Sequence, residues 1–156
     1  MKIELVDSTP HHPDALSLLD ELSAELRAIT GSDGTARFRT GDLDHPRSVF
    51  LLARQDGRAV GCGALRPLEA AGDPHVAEIK RMYARERGRG IGAAVLAALE
   101  ARAHSFGYRE IWLETRKVNL KAVGFYQRLG YRVRENYGPY VGRTEAVCFE
   151  KALPGA

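Results

Sequence analysis

The chain has 156 residues, 44% of them hydrophobic and 28% charged, with a formal net charge of +3. That length fits one domain, residues 1–156, with a single sizeable core, and the composition is that of a soluble globular protein rather than a disordered one. No apolar run approaches the roughly 20 residues of a membrane span, and so mild a basicity, without stacking aromatics beside it, points to no nucleic acid.

The opening MKIELVDSTPHH has no apolar h-region, so no signal peptide is expected and the cytoplasm is the expected location. KIELVD alternates and predicts a first strand. In STPHHPDALSLLDELSAELRAIT, Leu18, Leu22, Leu26 and Ile29 fall at helical spacing, and Gly31 stands where a C-cap belongs. GSDGTARFRTGDLDHPRS has no clear period and reads as a loop, solvated or substrate-facing, with room for a short helix. SVFLLARQDGRAVGCGALRPL is a hairpin signal, two β-rich runs around Gln55-Asp56-Gly57-Arg58. EAAGDPH is a turn and VAEIKRMYA the next strand. A helix then runs to about Ser105 and stops near Gly107. YREIWLET is a strand, and NLKAVGFYQRLG a helix with Asn119 as N-cap and Gly130 after its last turn. YRVRENYG and EAVCFEKAL close the chain as two strands, joined through Gly138, Pro139, Tyr140 and Gly142. Strands and helices in this mixed order predict an α/β or α+β sheet with helices on its faces.

Cys62 and Cys148 lie far apart without a CxxC and read as small buried hydrophobes in a reducing compartment. His11, His12, His45, His75 and His104 show no metal-ligand spacing, so no metal is expected.

The most informative stretch is RMYARERGRGIGAAVLAALEARA, from Arg81. Glycine is a poor helix former, at about 1 kcal/mol against alanine, yet Gly88, Gly90 and Gly92 crowd the mouth of an alanine-rich helix anchored by Ile91, Val95 and Leu99. A helix N-terminus exposes unpaired N–H groups and about half a positive charge, which suits a phosphate. Glycines let the phosphate approach the backbone, and Arg87 and Arg89 add bidentate donors. The alternative is a flexible loop with solubilising arginines. Gly88-x-Gly90-x-x-Ala93 also matches a dinucleotide fingerprint, with Glu114 as a loose ribose-binding acid. Against that reading, three residues separate the strand from the first glycine, and a strand carrying Glu78, Lys80 and Arg81 is too polar for a central parallel strand.

Arg87-x-x-Gly90-x-Gly92 resembles the pyrophosphate-binding motif of the GCN5-related N-acetyltransferase (GNAT) family. NLKAVGFYQRLGY resembles that family's later block through Asn119, Ala122, Phe125, Tyr126, Gly130 and Tyr131, and AEIKRMYA resembles its central strand. Together the three blocks span about Ala77 to Tyr131. The resemblance implies a mixed, mostly antiparallel sheet of six to seven strands, splayed between the fourth and fifth and flanked by about four helices, with acetyl-CoA in the gap. Met82, Tyr83 and Ala84 would offer backbone groups to the pantetheine arm. Arg87, Gly88, Arg89, Gly90, Ile91, Gly92 and Ala93 would hold the pyrophosphate, and Asn119 and Tyr126 would flank the thiol end.

The implied activity is transfer of an acetyl group from acetyl-CoA to a primary amine of a small molecule, by direct attack in a ternary complex. A peptide or protein N-terminus is the alternative acceptor, and a non-catalytic coenzyme A sensor the alternative function. By this resemblance Tyr126 is the general acid for the departing thiolate, and the Met82 N–H is an oxyanion donor. Glu78 is the base, directly or through water, if partial burial beside the gap raises its pKa. Their bland readings are a buried aromatic sharing a helical face with Val123 and Leu129, and an ion pair of Glu78 with Lys80. Strand alternation places Glu78, Lys80, Met82 and Ala84 on one face. Gly124 inside its helix suggests a close approach, and Glu114 and Thr115 are candidate substrate contacts. Arg37, Phe38, Arg39, Tyr137, Tyr140 and Arg143 lie in the substrate-side segments, where arginines would suit an acceptor carboxylate. Neither nucleic acid nor a membrane is expected as a partner, and a symmetric homodimer is expected only on general grounds.

Overall fold

Cap and turn chemistry set the element boundaries. In the computed structural model, which describes residues 2–86 and 88–155, the chain runs β1 (Glu4–Ser8), α1 (Pro13–Thr30), β2 (Val49–Gln55), β3 (Arg58–Pro67), β4 (Val76–Ala84), α2 (Ile91–Ser105), β5 (Glu110–Arg116), α3 (Leu120–Arg128), β6 (Arg132–Arg134) and β7 (Ala146–Ala152). Pro13 opens α1, and the His12 ring Nδ1 accepts the Asp14 N–H. Gly31 ends α1 at φ 82, and the β2–β3 turn has positive φ at both Asp56 and Gly57, the backbone of a tight primed hairpin turn. Asn119 caps α3, its Oδ1 accepting the Ala122 N–H at 3.3 Å.

The seven strands form one sheet in the order β1-β2-β3-β4-β5-β7-β6. Neighbours are antiparallel except β4 and β5, which run parallel. That parallel pairing covers only Val76–Glu78 against Glu110–Trp112. Beyond it β4 continues to Ala84 along β3 and β5 to Arg116 along β7 without pairing to each other, which opens the splay between the fourth and fifth strands.

α1 covers one face, with Ala15 and Leu18 against Phe50, Leu52, Cys62 and Ala64. α2 and α3 cover the other, against Leu51, Val60, Leu65, Ile79, Leu113 and Phe149. The α2 stripe Ile91, Val95, Leu96 and Leu99 is sealed, each side chain contributing about 1.5–3 kcal/mol. α2 comes this close because β3 presents Gly61 and Gly63. A Cβ at Gly63 would stand 2.7 Å from Met82 Sδ and 2.8 Å from Leu99 Cδ1. Among the described residues, no helix is long and apolar enough to cross a membrane.

Several expectations are revised. Three α-helices flank the sheet rather than about four, because the Gly- and Asp-rich 31–48 segment forms only two 3-10 turns, Thr35–Arg37 and Thr40–Leu43. β6 is three residues long instead of YRVRENYG. Gly138 at φ 52 and Pro139 fold the chain into a 3-10 turn, and Tyr137 turns inward. Ile29, at the last turn of α1, is 37% exposed.

The alternation expected along β4 also breaks. From Cys62↔Tyr83 to Ala64↔Lys80, β3 advances two residues while β4 spans three, a β-bulge with Arg81 at φ 57. A non-glycine residue there costs about 1–2 kcal/mol. Arg81 holds it through its guanidinium, with Nη2 donating to Ser23 Oγ at 2.7 Å and Nη1 to Asp33 O at 3.1 Å. Past the bulge the faces exchange. Met82 and Ala84 pack with Ala77 and Ile79 under α2, not on the Glu78 face, and Tyr83 faces α1.

Candidate active site

The splay opens a cavity of about 650 Å³, bounded by the second half of β4, the end of β5, the first turn of α2, α3 and the α1 C-terminus. Its two ends are built differently.

At the α2 end the lining is backbone. Gly88 and Gly90 both sit at φ 74, with nothing within 4 Å of where a Cβ would be, so dihedral rather than space calls for glycine. The first bond of the α2 ladder runs from Ala94 N to Gly90 O. The N–H groups of Ile91, Gly92 and Ala93 therefore precede the ladder with no intrahelical acceptor. Gly92 has a different reason: a Cβ there would meet the Phe125 ring at 3.2 Å. Arg87 lies outside the described residues. Arg89 pairs with Glu86 at 2.9 Å, and Arg85 fastens α1 through Glu21 at 2.7 Å. Of the arginines around the glycines, two therefore serve the scaffold, since Arg81 also binds α1.

Midway, Met82 has no register partner on β3, and Met82, Tyr83 and Ala84 all line the cavity, as do Asn119 and Tyr126 opposite. Tyr126 packs edge-on to Phe125 and Tyr131. Burial alone pushes its pKa well above the usual tyrosine value. The hydroxyls of Tyr83, Tyr108, Tyr131, Tyr137 and Tyr140 are bonded to Glu21, Arg47 O, Glu100, Glu78 and Lys80. The Tyr126 hydroxyl has no protein partner among the described residues. Among the same residues no buried side-chain oxygen is left unsatisfied, so this one opens on the cavity.

The far end is built from side chains. Glu78, expected partly buried beside the gap, is instead 1% exposed and does not line the cavity. Its Oε1 accepts from Arg66 Nε at 3.0 Å and Nη2 at 2.8 Å, its Oε2 accepts the Tyr137 hydroxyl at 2.5 Å, and Lys80 Nζ stands 3.8 Å away. The ion pair foreseen with Lys80 is thus chiefly one with Arg66. Lys80 does line the cavity, bonded to the Tyr140 hydroxyl. Desolvation lowers its pKa, opposed by Glu78 and helped by Arg66. Glu114 and Thr115 line it too. Burial raises the Glu114 pKa, while Arg116, bonded to Oε2, and Lys80 pull it down. Arg37 lines this end as well, whereas Phe38 packs on the α1 core and under Arg66, and Arg143 pairs with Glu145. Gly124 is outside the lining and faces Arg128, whose side chain would stand 3.1 Å from a Cβ there and which itself lines the cavity.

Arg66 and Asp42 were not foreseen as site residues. Arg66 also binds Asp42 and donates to Arg37 O at 3.1 Å, tying the 35–43 turns to β3. Nothing in sequence marks either residue. Among the described residues no group of three or more His, Cys, Asp or Glu side chains could hold a metal. Cys62 is buried, and desolvation pushes its thiol up to about 12.

Residues 16–131 match the model of the acetyltransferase (GNAT) family. The chain is 28% identical over 153 residues to an IAA acetyltransferase from Azospirillum brasilense, covering 97% of this chain and 98% of that protein. It superposes with a TM-score of 0.79 and 28% identity on a Klebsiella pneumoniae protein described as an acyl-CoA N-acyltransferase, across 97% of both chains. The fold also matches PaiA N-acetyltransferase from Thermoplasma acidophilum in complex with coenzyme A, with a TM-score of 0.72, 18% identity and 97% and 99% of the two chains.

Proposed function

The chain belongs to the acetyltransferase (GNAT) family, and we propose that it moves an acetyl group from acetyl-CoA to the primary amine of a small molecule by direct attack in a ternary complex. The residues present suit that donor. Three N–H groups without intrahelical acceptors and a helix dipole at the α2 mouth suit a pyrophosphate. The stretch of β4 beside the gap, unpaired on its β5 side, offers backbone groups to an extended amide-bearing arm. The relative that crystallises with coenzyme A carries the same fold.

The single observation that carries the reading is the Tyr126 hydroxyl, unpartnered and facing the cavity. A hydroxyl kept protonated by burial is suited to donate to a leaving thiolate. The Met82 N–H, at the bulge and outside the β3 register, serves as the donor to the developing oxyanion. The amine must lose a proton before it attacks, and the group placed to accept it is Glu114, because its Oε1 has no protein partner and it lines the cavity. Glu78, under Arg66 and Tyr137, acts as a positioning residue that fixes the wall behind Lys80. A small acceptor is favoured over a peptide because Arg66 and Arg81 fasten the 31–43 segment across the far end of the cavity.

The test is release of free thiol from acetyl-CoA with and without a panel of primary amines. Amine-dependent release supports the reading. Thermal stabilisation by acetyl-CoA with no release for any amine would leave a coenzyme A-binding module in its place.

A further inference from the structure

The far end of the cavity carries a charge pattern of its own. On the β5 wall, Arg116 is bound to Glu114 Oε2, which leaves Oε1 as a carboxylate oxygen without a protein partner. Glu25 and Glu86, the other acids lining the cavity, already have partners. The Thr35–Arg37 turn contributes Arg37 to the lining of the same cavity. Arg66 holds this turn by its Arg37 carbonyl at 3.1 Å, and Arg81 holds the Asp33 carbonyl just before it at 3.1 Å. The turn is therefore fixed by its backbone while the Arg37 side chain is left over. That guanidinium lines the cavity, half-buried, with no hydrogen bond or ion pair to any described residue. The Lys80 ammonium lines the cavity as well, its side chain 11% exposed and held by Tyr140 and Glu78.

Among the described residues, the cavity lining thus offers a Glu114 carboxylate oxygen without a protein partner, an Arg37 guanidinium without an acceptor, and the Lys80 ammonium. Resting on the acetyl-transfer reading above, we infer that the acceptor is an amino acid-like molecule, a small primary amine carrying a carboxylate. Its ammonium is drawn to Glu114, where it is deprotonated, and its carboxylate is held by Arg37, whose planar fork matches a carboxylate with two parallel N–H donors. Selectivity follows from the same charges. A diamine would place its second ammonium against Arg37 and Lys80, and a plain alkylamine would leave the guanidinium unpaired.

The test measures kcat/KM for α- and ω-amino acids, each against the amine that lacks only its carboxylate and against a diamine of the same length, in the wild type and in R37Q and R37K. The expected result is a preference of about ten- to a hundredfold for the carboxylate member, seen mainly in KM, on the scale of one charge-assisted contact. R37Q should shrink that ratio at least tenfold and R37K should retain part of it. The Arg37 side chain has no hydrogen bond or ion pair to a described residue to lose, so both variants should melt close to the wild type. Alkylamines or diamines reacting as well as amino acids, or a ratio unmoved by R37Q, would overturn the inference while leaving acetyl transfer intact. Absence of turnover with all three classes would instead overturn the acetyl-transfer reading and this inference with it.

Discussion

The two ends of one cavity are held by opposite means. At the α2 mouth the groups offered are backbone N–H groups, fixed by a helix and by two left-handed glycines, with no side-chain cap at Gly90. At the far end they are side chains, fixed by a chain of ion pairs and hydrogen bonds from Asp42 through Arg66 and Glu78 to Tyr137. A backbone site serves a ligand group that does not vary and tolerates changes in the side chains around it. A side-chain site is tunable, and each of its members depends on the others remaining paired. Donor binding should therefore survive most substitutions at the far end, while acceptor choice and stability should not.

Tyr126→Phe separates chemistry from both kinds of scaffold and carries the largest expected effect. The ring packing remains and the hydroxyl has no protein bond to lose. The melting temperature should hold while kcat falls about 10²- to 10⁴-fold, the range of general acid catalysis. Unchanged turnover would remove Tyr126 from the mechanism. Glu114→Gln should lose a comparable factor near neutral pH. Since burial raises the Glu114 pKa, its carboxylate is present above that raised value and lost as pH falls through it. The acid limb of kcat/KM should then lie above the ordinary glutamate value of about 4.3 and disappear in the variant.

Glu78→Ala tests the opposite term of the comparison. Removing one member of a buried pair strands Arg66 and the Tyr137 hydroxyl and costs about 3–5 kcal/mol. At roughly 2–4 °C per kcal/mol for a chain of this size, the melting temperature drops by about 6–20 °C. If Glu78 were instead the proton acceptor, the variant would also lose the acid limb assigned to Glu114, whereas a positioning role leaves that limb in place.

The same contrast explains what was legible in the sequence. Backbone sites are written locally. Gly88, Gly90 and Gly92 ahead of an apolar stripe announce a helix mouth, and Asn119 and Gly130 mark the ends of α3 within a dozen residues. The side-chain network is not local. Glu78 meets Arg66 twelve positions away but Tyr137 fifty-nine away, and no spacing rule links them. The bulge at Arg81 was equally hidden. No glycine or proline in β4 itself marks it, Gly63 lying across on β3, and the bonds that hold it reach Asp33 and Ser23, 48 and 58 residues back. Counting alternation through it therefore put Met82 and Ala84 on the wrong face. The 31–48 segment gave no period because it forms no extended element. Its order comes from Arg66 and Arg81, and the two side chains it gives to the site, Asp42 and Arg37, look in sequence like any surface pair.

The smallest expected effect bears on the backbone end. Gly90→Ala keeps every side-chain contact, since nothing lies within 4 Å of the new Cβ. It forces a left-handed φ of 74 on alanine, which costs about 1–2 kcal/mol and lowers the melting temperature by roughly 2–8 °C. If the α2 mouth binds donor through its N–H groups, relief of that strain turns the Ile91 N–H out of line, and KM for acetyl-CoA rises while kcat stays close to the wild type. Gly92→Ala is the internal control. Its φ is ordinary, and its Cβ meets a ring edge that must give by only a few tenths of an ångström. It should disturb Phe125 and the neighbouring Tyr126 before it disturbs the N–H groups, so its loss should appear in kcat. A rise in KM for acetyl-CoA with Gly92→Ala and none with Gly90→Ala would mean that contact with the Phe125 wall, rather than the left-handed turn, governs donor binding.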